Sequence, residues 1–170
     1  MLVVLAIPVT AEEPTPIYKN VLSCDLGNLI AYIPVTEILY LYTVDFIPSF
    51  GFTYERRLNK LIGLRGKIDL LLPVYFYITA VFTDVGVHFY PGKRAPHGWY
   101  IGVAGNISFS ARIFSPDDGG VAGGGAIYSG YQWVFPSQWV HRFGAGCRVV
   151  HSTWGLAFYP NFEVAFGYAF

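Results

Sequence analysis

No stretch of this 170-residue chain is apolar for long enough to cross a membrane as a helix. The longest greasy segment, residues 70–82, falls short of the roughly 18 residues such a span needs, and Pro73 interrupts it. Charge is scarce too, at 13%, and eleven basic residues cancel eleven acidic ones, so nothing points to a nucleic-acid partner. The two cysteines, Cys24 and Cys147, lack a second cysteine or a histidine at zinc-finger spacing, and His88, His97, His141 and His151 are scattered. Neither a metal site nor a cofactor is expected. One disulfide would be possible in an exported protein. The register below puts both cysteines on lipid-facing positions of strands separated by another strand, so two free thiols are expected.

What the chain does have is 54% hydrophobic residues, 18% aromatics and 19 glycines. High apolar content without a helical run suggests strands that face lipid. The last ten residues carry the pattern. Phe162, Val164, Phe166, Tyr168 and Phe170 alternate with Asn161, Glu163, Ala165, Gly167 and Ala169. A period of two marks a half-buried strand, and a large apolar face backed by a small or charged one is the pattern of a transmembrane barrel wall.

Eight such strands can be laid out, over about residues 20–33, 43–57, 62–72, 80–90, 99–113, 121–135, 139–150 and 161–170. In the first, Leu22, Cys24, Leu26 and Ile30 face outward and Ser23, Asp25 and Gly27 inward. The sixth is too glycine-rich for its register to be read. Turn chemistry marks connections at 58–60, 91–98 and 136–138, and because each follows an even-numbered strand it falls on the side of the two chain ends. The opposite connections, near 33–41, 75–79, 116–120 and 152–160, are short. The fold class expected is therefore all-β, an eight-stranded antiparallel up-and-down transmembrane barrel, over residues 20–170.

In this register Asp25, Asp45, Glu55, Asp69, Asp84 and Glu163 share the inward faces with Arg57, Arg65, Lys67, Arg112, Arg142 and Arg148. A lipid-facing Arg or Lys at mid-bilayer costs about 2–4 kcal/mol, which separates the two faces. An eight-stranded barrel is just wide enough for its side chains to fill it, so these groups are expected to form a plug. Tyr54, Trp99, Trp133, Trp139 and Tyr159, near strand ends, suit aromatic girdles at headgroup level. Pro48, outward on the second strand, cannot donate to the ladder and marks either a tolerated bulge or a break in the wall.

Residues 1–11 resemble the end of a secretory signal, apolar from Leu2 to Ile7 and small before Glu12, although the basic leading region is missing; a short buried strand or a tail is the alternative. Residues 12–19 are a polar lead-in. A lipid-attachment reading of Val21-Leu22-Ser23-Cys24 fails, because Glu12, Glu13 and Lys19 separate Cys24 from the apolar segment.

Three segments carry a family likeness: Phe52-Thr-Tyr-Glu-Arg-Arg-Leu58, Gly86-Val-His-Phe-Tyr-Pro91 followed by Gly98-Trp-Tyr-Ile-Gly102, and Phe166-Gly-Tyr-Ala-Phe170. With them the chain resembles the small outer-membrane barrels of the OmpA, OmpX and OmpW kind. That resemblance implies a bacterial outer membrane and contact with bilayer lipid or lipopolysaccharide. It also implies that Phe166, Tyr168 and Phe170 are read by the barrel-assembly machinery, and a monomer is expected. Family roles include anchors, surface-interaction proteins and narrow transporters of hydrophobic compounds. His151-Ser152-Thr153 with Glu163 resembles the constellation of an outer-membrane lipid A deacylase, but Thr153, not Ser152, stands two residues after the histidine, so no enzyme is expected. A soluble lipid-binding barrel with its apolar faces inside is the remaining alternative.

Overall fold

The computed structural model describes residues 18–34, 45–71, 78–92, 94–112, 115–152 and 155–170. The expected leader remnant and most of the lead-in lie outside them. Eight strands follow in order: β1 (Asn20–Pro34), β2 (Asp45–Arg57), β3 (Ile62–Leu71), β4 (Ile78–Phe89), β5 (Gly98–Arg112), β6 (Ser115–Val134), β7 (Trp139–Ser152) and β8 (Gly155–Ala169). Each pairs antiparallel with the next, and β1 closes on β8. Closure leaves no open sheet edge, which is the condition for a sheet to sit in hydrocarbon.

The period-two faces fall as the alternation predicts. Outward positions are mostly apolar and exposed, as at Phe52, Ile68, Val85, Ile101, Ile127, Phe143 and Phe162, while inward positions are buried and, between two apolar layers, polar or small. Cys24 and Cys147 are free thiols on half-exposed positions. The glycine-rich sixth strand acquires its register from β5 and β7: Tyr128 and Gln132 face in, and Ile127 and Trp133 face out.

Several boundaries differ from expectation. β6 begins at Ser115, so the whole of the expected loop at 116–120 belongs to a strand whose ladder jumps from Ser110–Gly120 to Arg112–Ser115. β8 begins at Gly155 and absorbs most of the expected 152–160 loop, and β4 takes Ile78 and Thr79. Residues 35–44 and 72–77 lie outside the described residues. In β1, three steps from Asp25 to Asn28 oppose two from Gly51 to Ser49. That extra residue is a β-bulge, and it flips the parity beyond it. Ile30, expected outward, therefore stands opposite Ile47 on the inward register, and Leu29 stands opposite the exposed Phe162. Pro48 pairs with Leu29, and the ladder continues past it to Tyr32–Asp45.

The end of the barrel that carries residues 18 and 170, here the terminal end, is tightly closed. Asn20 and Phe170 exchange backbone hydrogen bonds of 2.9 Å, and Ala169 N donates to the Gln138 carbonyl at 2.8 Å. The turn after β4 folds back across the mouth, with Ala95 and Pro96 buried and Ala95 N donating to the Lys60 carbonyl at 3.0 Å. Inside, Val21, Val134, Val140 and Ala169 form an apolar layer at this end, and Leu71, Ala80, Phe82 and Val150 form another toward the far end.

Candidate functional site

Between those two apolar layers lies a column of charge. Asp25, Glu55, Arg65, Lys67, Asp69, Asp84, Arg142, Arg148 and Glu163 are all buried, at no more than 3% exposure each. Nine ionised groups can share a dry interior only by pairing and hydrogen bonding with one another.

On the terminal side of the column, Arg142 reaches three partners in three directions. Nε donates to Gln132 Oε1 at 2.6 Å, Nη1 to Glu163 Oε1 at 3.0 Å and Nη2 to Glu55 Oε2 at 3.3 Å. Gln132 passes the chain on, its Nε2 donating to the Pro96 carbonyl at 2.6 Å and so tying the interior to the folded-back turn. Arg65 donates to the same Glu163 oxygen at 2.6 Å and lies 3.0 Å from His88 Nε2. A guanidinium can only donate, so that ring nitrogen accepts; His88 Nδ1 then faces Glu55 Oε2 at 3.3 Å. Tyr90 donates to Glu55 Oε1 at 2.5 Å, and the His88 ring stacks on Tyr100 at 4.4 Å.

On the far side, Lys67 Nζ lies 3.0 Å from Asp25 and 3.2 Å from Asp69. Arg148 Nη2 donates to Asp69 at 3.0 Å and to Asp84, which also accepts from Tyr128 and Asn106. The Arg148 guanidinium covers the Phe82 ring at 4.7 Å. Thr53 joins the halves by donating to Asp25 at 3.1 Å while accepting from Arg65 at 3.5 Å.

Inward glycines make the room. A Cβ on Gly63 would come within 2.4 Å of Glu55 Oε1, one on Gly51 within 2.3 Å of Asp69 Oδ1, and one on Gly102 within 2.4 Å of the His88 ring. A gap beside Arg65, Asp84, His88 and Tyr128 is too small for a water molecule.

Nine of the twelve charges singled out from sequence stand in this column; of the other three, one is described and lies outside it. Arg57 is half-buried at the terminal end, where its Nε donates to the Asn59 carbonyl at 3.2 Å, because the strand gives way to a turn there. The side chains of Asp45 and Arg112 lie outside the described residues, although their backbones pair with Tyr32 and Ile78. Glu163, expected to meet Arg142 or Arg148, meets Arg142 and Arg65, and Arg148 turns to Asp69 and Asp84. His151 is exposed on the outer wall while Glu163 is buried inside, so the barrel wall separates these two members of the deacylase-like constellation. Sequence reasoning missed the uncharged members: His88, Tyr90, Asn106, Tyr128, Gln132 and Thr53. All stand at inward parity, and inward alternation was their signal. Among the described residues no group of histidine, cysteine or carboxylate side chains could hold a metal ion.

On the outer wall, the girdle residues Tyr54, Trp99, Trp133 and Trp139 are exposed near the terminal end, while the Tyr159 side chain lies outside the description. On one side the aromatics form a continuous row: Trp99, Tyr131, Trp133 and Phe143 follow one another across β5, β6 and β7 with ring centroids 4.4–5.7 Å apart. Phe166, Tyr168 and Phe170 project outward beside them.

A closed eight-stranded up-and-down barrel with apolar walls and a charge-filled interior is the architecture of the small bacterial outer-membrane barrels. No protein-family model matches the sequence, and no curated protein matches it. Solved structures do match in fold. Neisserial surface protein A superposes with a TM-score of 0.68 at 8% identity, covering 87% of this chain and 94% of that one. Ail, the attachment invasion locus protein of Yersinia pestis, gives 0.57 at 13% identity, covering 90% and 99%. The same protein in complex with the heparin analogue sucrose octasulfate gives 0.56 at 14% identity over the same shares.

Proposed function

We propose that this chain is an integral outer-membrane barrel, working as a monomeric structural or surface-interaction scaffold and not as a conduit. The observation that carries this reading is the interior column: ion pairs cross the lumen from β2, β3, β4, β7 and β8, with an apolar layer on each side. Moving an ion past it would require breaking several buried pairs at once. The outward apolar wall supports the membrane setting, because rows of exposed Phe, Leu, Ile and Val have no partner in water. In that setting the terminal end faces the periplasm, and Phe166, Tyr168 and Phe170 are the residues offered to the barrel-assembly machinery. Residues 1–11 are proposed as the remnant of an export signal.

In planar bilayers the wild-type protein is expected to give no steady conductance, and sustained single-channel events would overturn the closed-interior reading. A second reading, a binder of small hydrophobic molecules entering through the wall, is favoured by one feature. The bulge in β1 interrupts its ladders with both β2 and β8 just after Asp25. Protection of Cys24, one residue before the interruption, from a membrane-soluble thiol reagent by an added hydrophobic ligand would select that reading.

A further inference from the structure

Among the described outward-facing wall positions, one side chain carries a formal charge, and it is Arg56. It continues the exposed row of Phe52 and Tyr54 on β2 and pairs across the strands with Asn20 and Leu64. Tyr54 donates to Asn20 Oδ1 at 2.8 Å beside it, and exposed Leu58 and Leu64 flank it. A guanidinium that emerges from an apolar wall is stable only where it can reach water or an anion.

Lys19, Arg57 and Lys60 gather on the water side of Arg56. Arg57 N donates to the Lys19 carbonyl at 2.7 Å, and the turn that bears Arg94 is fastened to the Lys60 carbonyl through Ala95 at 3.0 Å. The described residues of this rim, 18–20, 56–62 and 90–98, contain no Asp or Glu. The interior carboxylates cannot compensate the rim, because they are buried and engaged with interior cations. The opposite side of the same end, from β5 to β8, carries Trp99, Tyr131, Trp133, Trp139 and Tyr168 and no outward Lys or Arg among the described residues. One flank of the terminal end is therefore basic and the other aromatic.

The geometry points to a binding site for an anionic phospholipid on the β1–β3 flank. Acyl chains lie along Phe52, Leu64 and Ile68, the headgroup phosphate takes the Arg56 fork, and Lys19 and Lys60 approach it from water. A lipid fits better than a soluble polyanion because Arg56 belongs to the hydrocarbon-facing row, where only a ligand with both an apolar tail and an anionic head meets every group. This inference rests on the membrane reading above.

The test uses full-length protein in nanodiscs of equal phosphatidylglycerol and phosphatidylcholine, with retained lipids counted by native mass spectrometry. Wild type is expected to retain phosphatidylglycerol preferentially, and Arg56→Gln and Lys60→Gln each to cut that preference about five-fold. Arg56→Lys keeps part of it. Lys60 lies in an exposed turn, so Lys60→Gln carries the test if Arg56→Gln fails to fold. Equal retention by wild type and Lys60→Gln overturns the proposal. So does displacement of the lipid by soluble glycerol phosphate, which would mark a free-anion site, or binding to isolated peptidoglycan without lipid preference, which would assign the rim to a cell-wall polymer. Quenching of Trp99, Trp133 and Trp139 by brominated-chain lipid reads the membrane setting separately, since they sit on the other flank. Quenching without phosphatidylglycerol preference removes the lipid site alone, whereas absence of quenching removes both readings.

Discussion

Arg142 and Arg148 stand six residues apart on β7, both fully buried and both pointing into the lumen, yet the barrel uses them differently. Arg142 spends all three of its nitrogens on separate acceptors from β2, β6 and β8. Arg148 works through Nη2 alone, shared among Asp69, Asp84 and the Tyr128 hydroxyl, while its Nε and Nη1 make no hydrogen bond among the described residues. The planar fork matters at the first site, and a single positive point suffices at the second. Each partner of Arg142 also has a further tie, so the terminal half of the column is a mesh running out to Pro96. The far half is a smaller cluster covered by Phe82 and Leu71.

The largest effect should follow from cutting the mesh. Arg142→Met removes the cation that Glu55 and Glu163 share and leaves the Gln132 carbonyl oxygen unpaired. The expected loss is about 3–5 kcal/mol, the usual cost of stranding one side of a buried pair. Urea unfolding in lipid vesicles, followed by the shift between folded and heat-denatured mobility, measures it. Arg142→Lys should recover little, because one ammonium cannot span acceptors on three strands. If Arg142→Met proves no costlier than Arg148→Met, the contrast between the two sites is wrong.

An intermediate effect is expected from crowding the same mesh without touching a charge. A Cβ on Gly144 would lie 2.5 Å from Tyr100 Oη and 3.2 Å from the Ser129 carbonyl. Gly144→Ala must therefore push Tyr100 off its stack on His88, and overpacking of this kind costs about 1–3 kcal/mol. Gly105→Ala is the control on the outer wall, where the nearest atom to an added Cβ is 4.0 Å away. It should leave the unfolding midpoint unchanged within error, and a comparable loss there would mean that strand propensity, not interior room, sets the effect.

How much of this was legible beforehand depends on the side chains available to sort. Alternation is unmistakable at 99–113 and 161–170, where, Gly105 and Ala111 apart, the outward residues are large and apolar and the inward ones mostly small or polar. It fails at 119–125, where Gly119, Gly120, Gly123, Gly124 and Gly125 carry no side chain to place, and the register of β6 emerges only from pairing with its neighbours. The bulge after Asp25 was invisible for a related reason: Leu26-Gly27-Asn28 fits either parity. Which acid meets which base was unreadable as well, since it depends on the stagger of strands across the lumen. Glu163 of β8 reaches Arg65 of β3, a pairing that no spacing along the chain suggests. His88 and Gln132 escaped notice because they carry no obligatory charge, although their hydrogen bonds bind the column together.

The smallest effect sharpens the opening contrast most. Arg148→Lys replaces a fork with one ammonium, but the wild-type residue already acts through a single nitrogen. Lys67 shows that an ammonium can serve two carboxylates in this interior, with Asp25 and Asp69 at 3.0 and 3.2 Å. Asp84 keeps Tyr128 and Asn106 whatever stands at 148. The substitution gives up the guanidinium's contact with the Phe82 ring but retains the charge, so the expected cost is about 1 kcal/mol, the scale of one ordinary hydrogen bond. Measured beside Arg142→Lys under the same unfolding conditions, it should be clearly the milder of two chemically identical changes. Equal costs would mean that both sites respond to burial of charge alone, and that the three-way geometry at Arg142 contributes nothing.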